Sequence, residues 1–219
     1  MTGSQFSQEI TQVSIVMTVF NTEQKLVQRA IDSVLQQEMQ SFELIIVNDG
    51  SNKSISDFVQ SIALKHPEKI KYIYHNNLGQ SESINQGLKL CSSKYVTFID
   101  SDDEYKKDHL KKCLLEIGDL DLISSFTETV VNSELDYYVP DKNNPLTNIH
   151  VDECIMLATL FGKKNVFEAV PFKKKYAADA QFYEEISKKI KVRKANIRTY
   201  IYYRNNSDSI SAKLKNKQI

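Results

Sequence analysis

Strand-like and helix-like segments alternate strictly over the first 120 residues, and this constrains the fold more than any other feature. Val13–Phe20 (VSIVMTVF) is an apolar run rich in β-branched residues, as a buried strand requires. In Thr22–Glu38 the apolar residues Leu26, Ala30, Ile31, Val34 and Leu35 fall on one helical face. The series continues with strand Phe42–Val47, helix Ile55–Lys65, strand Ile70–Tyr74, helix Gln80–Cys91 and strand Tyr95–Ile99. Helix Lys107–Ile117 and strand Asp121–Phe126 complete it. Such a β-α-β-α order specifies an α/β fold, a mostly parallel central sheet with helices on both faces. Tyr72, Tyr74, Phe98 and Phe126 lie in strand patterns and are expected in its core.

After residue 127 the rhythm changes. Leu135–Val139 reads as a short strand, and Pro140–Asn148 as a turn-rich connector. Asp152–Phe161 and Tyr176–Ile190 read as helices, Ile197–Tyr203 as a strand, and the last dozen residues as a loose tail. This portion is too small to stand alone, so residues 1–219 are expected to form one domain, with 127–219 extending the sheet built by 12–126.

Composition excludes several classes. With 41% hydrophobic and 26% charged residues the chain is not of the disordered kind. Its apolar runs, such as Leu44–Val47 and Cys154–Ala158, fall far short of the roughly 18 residues of a membrane span. The opening MTGSQFSQEITQ lacks the basic flank and apolar stretch of a secretion signal. Three cysteines, odd in number and without CxxC spacing, suit reduced thiols and a cytoplasmic location. Formal net charge is zero, yet from residue 161 onward 15 Lys/Arg face only 5 Asp/Glu. That asymmetry fits either a solvated basic face or peripheral contact with an anionic surface, the inner membrane face included.

Ligands of open α/β sheets bind beyond the carboxyl ends of the strands. Those ends are Thr18-Val19-Phe20-Asn21, Asn48-Asp49-Gly50-Ser51, His75-Asn76-Asn77-Leu78-Gly79-Gln80 and Asp100-Ser101-Asp102-Asp103. Turn chemistry explains the Asn, Gly and Ser residues one by one. It does not explain four carboxylates within Asp100–Glu104, which repel one another unless a cation relieves them. A hard divalent ion, Mn²⁺ or Mg²⁺, held by one or two of these acids and by substrate phosphates, suits the cluster. The six glycines never form GxGxxG, and GxxxxGK[ST], GxSxG and HExxH are all missing. A dinucleotide cofactor, a P-loop, a serine elbow and a zincin site are thereby disfavoured.

The segments VSIVMTVFN, FELIIVNDGS, NLGQSESINQGL and YVTFIDSDDEY, in this order and spacing, resemble family-2 glycosyltransferases of the GT-A fold. The resemblance is strong over residues 12–117. It implies a GT-A, Rossmann-like sheet, a nucleotide-diphosphate sugar donor (a UDP-sugar foremost), a divalent metal and inversion at the anomeric carbon. Asp102 would ligate the metal, with Asp100 beside it and near the ribose. Asp49 would bond the base and Phe20 lie against its ring. Thr18, Asn21, Glu23, Ser51, Gly79, Gln80, Asn85 and Ser101 complete the expected donor site, with Arg204 approaching the diphosphate. In place of the family's customary Pro, Arg and helix-start Glu stand Thr18, Ile84 and Ala178.

The second half would then bind the acceptor, a glycan, glycolipid or protein-linked glycan. Tyr176–Tyr183 resembles the family's Glu-Asp helix start, with Asp179 retained, which makes Asp179 the expected catalytic base. Tyr137, Tyr138, Phe172 and Tyr183 are weighed as acceptor-lining rings against ordinary packing. Tyr202-Tyr203-Arg204 and Ser207–Ser211 resemble the closing strand and loop. No nucleic-acid partner is expected, and a homodimer is allowed. The rival to an enzyme is an accessory subunit that binds nucleotide-sugar without turnover.

Overall fold

The computed structural model describes residues 11–142, 144, 146–173 and 177–205. Its first strands are β1 (Val13–Val19), β2 (Phe42–Asp49), β3 (Ile70–His75) and β4 (Tyr95–Asp100). They alternate with helices α1 (Gln24–Leu35), α2 (Lys53–Lys65) and α3 (Gln80–Leu90). Then follow β5 (Glu104–Tyr105), α4 (His109–Ile117), β6 (Leu122–Val130), β7 (Tyr138–Pro140) and β8 (Asn148–His150). The last described elements are β9 (Leu160–Lys163), α5 (Lys164–Ala169), α6 (Ala178–Ile186) and β10 (Val192–Tyr203).

Eight strands form one sheet in the order β3-β2-β1-β4-β9-β6-β10-β5. The β1–β2, β1–β4, β2–β3 and β6–β10 pairs are parallel. β9 runs antiparallel between β4 and β6, and β5 antiparallel along β10. Because β9 reverses direction twice over, β1–β4, β6 and β10 all present their carboxyl ends at one edge. That edge is where the chemistry collects.

Period-two alternation sorts the strand residues onto two faces. Ile15, Met17, Val19, Leu44 and Ile46 pack with α1, α2 and α4. Val16, Ile45, Val47, Val96 and Phe98 pack with α3, α5 and α6. Burying each such side chain contributes about 1.5–3 kcal/mol, so this two-sided core rigidly supports the loops at the edge. Ile84, where the family pattern has Arg, is 3% exposed within the second core and faces the sheet.

The second half corrects several expectations. Asp152–Phe161 is not a helix: two 3-10 turns, Val151–Glu153 and Leu157–Thr159, lead into β9. Leu160 and Phe161 carry an apolar spacing that suits either period, and the free edges of β4 and β6 decide the outcome. A strand there satisfies backbone donors and acceptors on both sides. Gly162 permits the close fit, since a Cβ would lie 2.9 Å from the Asp121 carbonyl and 2.7 Å from Leu122 Cδ1. Leu135–Val139 divides into a 3-10 turn, Glu134–Tyr137, and β7, because Ser133 and Asp136 form a reciprocal capping box. Tyr74, expected in the core, is 54% exposed near the carboxyl edge. The last helix is described from Ala178 and ends at Ile186 rather than Ile190. The tail and Ser207–Ser211 lie outside the described residues.

Candidate active site

Three loops at the carboxyl edge are stitched to one another by their own polar side chains. Asn21, at φ +52°, accepts from Asn52 N (2.8 Å) and Nδ2 (3.0 Å), while its own amide donates to Ser51 Oγ (3.0 Å). Asn tolerates this left-handed conformation better than most residues. Asn48 Oδ1 accepts from Ser51 N (2.9 Å), which closes the turn after β2. Gly50 is at φ +76°, and a Cβ there would lie 2.6 Å from the Asn77 amide nitrogen, so only glycine lets the loops approach. Asp49 accepts from Leu78 N (2.7 Å) and Gly79 N (3.0 Å), fastening the β3–α3 turn to the β2 end. The residue expected to meet a base thus uses both carboxylate oxygens to clamp two loops together. Phe20 and Leu78, 52% and 44% exposed, leave apolar surface beside it.

The acid loop follows β4. Ser101 Oγ bonds Thr22 Oγ1 at 2.7 Å, and Gln80 Nε2 donates to Asp100 Oδ1 at 3.3 Å. Arg29 of α1 donates to the Asp102 carbonyl oxygen from beneath. Burial, then the charges of Asp102 and Asp179, push the Asp100 carboxyl up to about 7. Burial also raises Asp102, against an opposing pull from Arg29. Asp179, at the start of α6, accepts from Leu157 N (3.0 Å) and Ala180 N (2.8 Å), and burial raises its carboxyl too. Asp102 and Asp179 thus each act on the Asp100 carboxyl, although a long stretch of chain separates Asp179 from the acid loop.

Other expected site residues are engaged differently. Asn85 makes reciprocal bonds with the Phe172 backbone, donating at 2.9 Å and accepting at 3.0 Å, so its amide ties α3 to the chain before α6. Arg204 donates to the backbone oxygens of Asp136 and Tyr138 and to Tyr202 Oη, bracing the β7–β8 hairpin. Glu23 caps α1 without a side-chain cap bond and pairs with Lys25 at 3.1 Å. Thr18 lies in β1 opposite Val47 and Asp100. Phe172 is core, stacked on Phe182 with centroids 4.7 Å apart. Arg29, Tyr200 and Tyr203, which all touch the acid loop, were not legible as site residues. They read as a polar helix position and strand residues, Tyr203 drawing notice only beside Arg204 in the closing strand, and no local pattern places them at the acid loop.

Would these acids suit a divalent ion? The donors are hard oxygens, their proton affinities raised chiefly by burial and at Asp100 also by the charges of Asp102 and Asp179, and hard carboxylate oxygens of this kind fit Mn²⁺ or Mg²⁺. Among the described residues no three His, Cys, Asp or Glu side chains are arranged to hold an ion by themselves. An ion here would complete its shell with donor phosphates and water, as Mg²⁺ commonly does.

The chain matches the model of glycosyl transferase family 2 over residues 14–173. It is similar to an uncharacterized glycosyltransferase of Rickettsia conorii, 30% identical over 164 residues, covering 72% of this chain and 27% of that protein. It is also similar to the putative glycosyltransferase EpsH of Bacillus subtilis, 33% identical over 111 residues, covering 51% of this chain and 32% of that protein. The chain thus spans about a third or less of these relatives. Among solved structures, S. aureus TarS 1-349 in complex with UDP-GlcNAc superposes with TM-score 0.71 at 18% identity, covering 92% of this chain and 60% of that one. The mannosyltransferase PcManGT of Pyrobaculum calidifontis, in complex with GDP-Man and Mn²⁺, superposes with TM-score 0.69 at 14% identity, covering 88% and 56%. These likenesses establish the GT-A fold, and the family match extends from β1 across the acid loop to the segment before α6. The chain belongs to glycosyl transferase family 2.

Proposed function

We propose that this protein is a metal-dependent, inverting glycosyltransferase that moves a sugar from a nucleotide-diphosphate sugar, a UDP-sugar foremost, to a glycan, lipid-linked or protein-linked acceptor. The observation that carries the reading is that Asp179, at the start of α6, lies close enough to Asp100 for its charge to help raise the Asp100 carboxyl. A module that only binds nucleotide-sugar has no chemical need for the third acid. UDP-GlcNAc in TarS, and GDP-Man with Mn²⁺ in PcManGT, support the donor class and the ion.

In this reading the stitched loops around Asp49, Gly79 and Phe20 receive the nucleotide. Asp102, with Asp100, would hold the divalent ion, which supplies charge neutralisation for the departing diphosphate. Asp179 takes the acceptor hydroxyl proton as that oxygen attacks from the face opposite the diphosphate, and such an attack inverts the anomeric carbon. A carboxylate is a sufficient base because the proton becomes acidic only as the new bond forms. The Leu157 and Ala180 amides fix its orientation, and burial lifts its proton affinity toward the working pH. Ile84 weighs little for the accessory-subunit alternative, since it is a core residue. A hydrolysis screen over UDP-, GDP- and dTDP-sugars with Mn²⁺ tests the proposal. Turnover of any one supports it, and nucleotide binding without turnover of any donor favours the accessory subunit.

A further inference from the structure

We propose that Asp103, the buried acid bonded to β10, is a positioning residue that holds Asp100 and Asp102 in place by locking their loop to that strand. The inference rests on the reading above, in which those two acids hold an ion with the donor diphosphate. Asp103 is 1% exposed, and its two oxygens divide between two points of β10. Oδ2 accepts from the Tyr200 hydroxyl at 2.7 Å, and Oδ1 accepts from the Tyr203 amide at 2.9 Å. The Tyr200 oxygen in turn accepts from the Asp100 amide at 3.1 Å, so one phenol bridges the two ends of the acid loop. A second arm closes the figure. The Arg29 guanidinium lies 3.7 Å from the centroid of the Tyr203 ring and donates to the Asp102 carbonyl. Asp100, Tyr200, Asp103, Tyr203, Arg29 and Asp102 therefore form a closed frame around the loop.

Only a short side chain with two acceptor oxygens can meet both a hydroxyl and an amide of β10 from this position. Serine would offer one weak acceptor, and asparagine would replace one acceptor with a donor. Buried networks of this kind specify one arrangement more than they add stability. The frame costs no side chain of the donor site, because every bond to Asp100 and Asp102 within it is made to their backbones. Groups behind metal-holding residues commonly contribute 10–100-fold in affinity by fixing orientation.

Tyr200→Phe deletes the hydroxyl while keeping the ring packed edge-on to Tyr105. It is measured beside Asp103→Asn and the unaltered protein by calorimetric titration of UDP and GDP, with Mn²⁺ and with EDTA. Circular dichroism checks folding, and amide exchange is read at Asp100. We expect Tyr200→Phe to weaken Mn²⁺-dependent binding by about 10–100-fold, leave binding in EDTA unchanged and speed exchange of the Asp100 amide. Should Asp103→Asn fail to fold, Tyr200→Phe decides the matter. Affinity equal to that of the unaltered protein, or the same loss with and without Mn²⁺, overturns the positioning role. If the unaltered protein itself shows no Mn²⁺-dependent binding, the functional reading fails and takes this inference with it, a result distinct from either of the others.

Discussion

Two acids at the carboxyl edge are assigned different work, and substitution separates them. Asp179→Asn keeps size and a hydrogen-bonding oxygen but removes the base. Transfer is expected to fall by about 10²–10⁴-fold while donor binding survives, since in the proposed reading the loops after β1–β4 receive the nucleotide. Asp102→Asn is expected to lose donor binding and transfer together. Steady-state kinetics beside calorimetry separates the two, and near-normal transfer by Asp179→Asn would move the base elsewhere, with Glu184 or Glu185 of α6 next in line. Burial holds the Asp179 carboxyl above the ordinary carboxylate range. A base works deprotonated, so kcat should decline as pH falls through this raised value, at higher pH than for an exposed aspartate. A pH–rate profile with no acidic limb above the ordinary carboxylate range would contradict that assignment.

Among the elements, β9 and α4 carry the clearest consequences. β9 joins the two parallel parts of the sheet, and its Gly162 abuts the Asp121 carbonyl, backbone that cannot swing aside. Gly162→Ala should destabilise the fold by about 1–3 kcal/mol, the usual cost of overpacking, seen as a lower urea midpoint. In α4, His109 is 1% exposed, stacks on Tyr105 with centroids 3.9 Å apart and bonds Thr199 Oγ1 at 2.7 Å. Burial pushes its imidazole down to about 3. Below the ordinary histidine range the unfolded chain binds a proton that the native protein refuses. Stability is therefore lost as pH falls from about 6.5 toward 3, with a slope near 1.4 kcal/mol per pH unit from this residue. Unfolding midpoints between pH 7 and 5 should fall more steeply for the unaltered protein than for His109→Gln.

Across the whole molecule, the excess of basic residues in the second half includes a lysine cluster after α6. The lysines at 188, 189 and 191 follow α6, and the Lys191 amide donates to Asp121 Oδ2 at 3.3 Å where β6 and β10 begin. That is the edge opposite Asp100. Among the described residues no helix is long and apolar enough to cross a membrane. We propose that this basic edge meets anionic surfaces and leaves the acid edge facing away from them. Each lysine close to such a surface is worth about 1 kcal/mol, and salt screens it. Co-sedimentation with anionic vesicles should occur at low salt, fade as salt rises and weaken when Lys188, Lys189 and Lys191 are replaced by Glu. Absence of binding at low salt leaves a solvated basic face.

The sequence by itself determined the first four strands, their helices and the edge at which ligands collect. Val13–Phe20, the β-branched runs after it and the Asn, Asp and Gly residues that end them carry their information locally, in period and turn chemistry. The acids Asp100, Asp102 and Asp179 could be singled out as candidates for a related reason, since each stands in a motif that can be recognised without knowing its neighbours in space. Only the tertiary structure decided that Leu160–Lys163 would be a strand, because the open ladders of β4 and β6 lie far away in the chain. Only it revealed that Asn85 and Arg204 hold backbone, and that Arg29, Tyr200 and Tyr203 surround the acid loop. A buried polar residue is defined by the partners that satisfy it, and those partners come together only when distant segments pack.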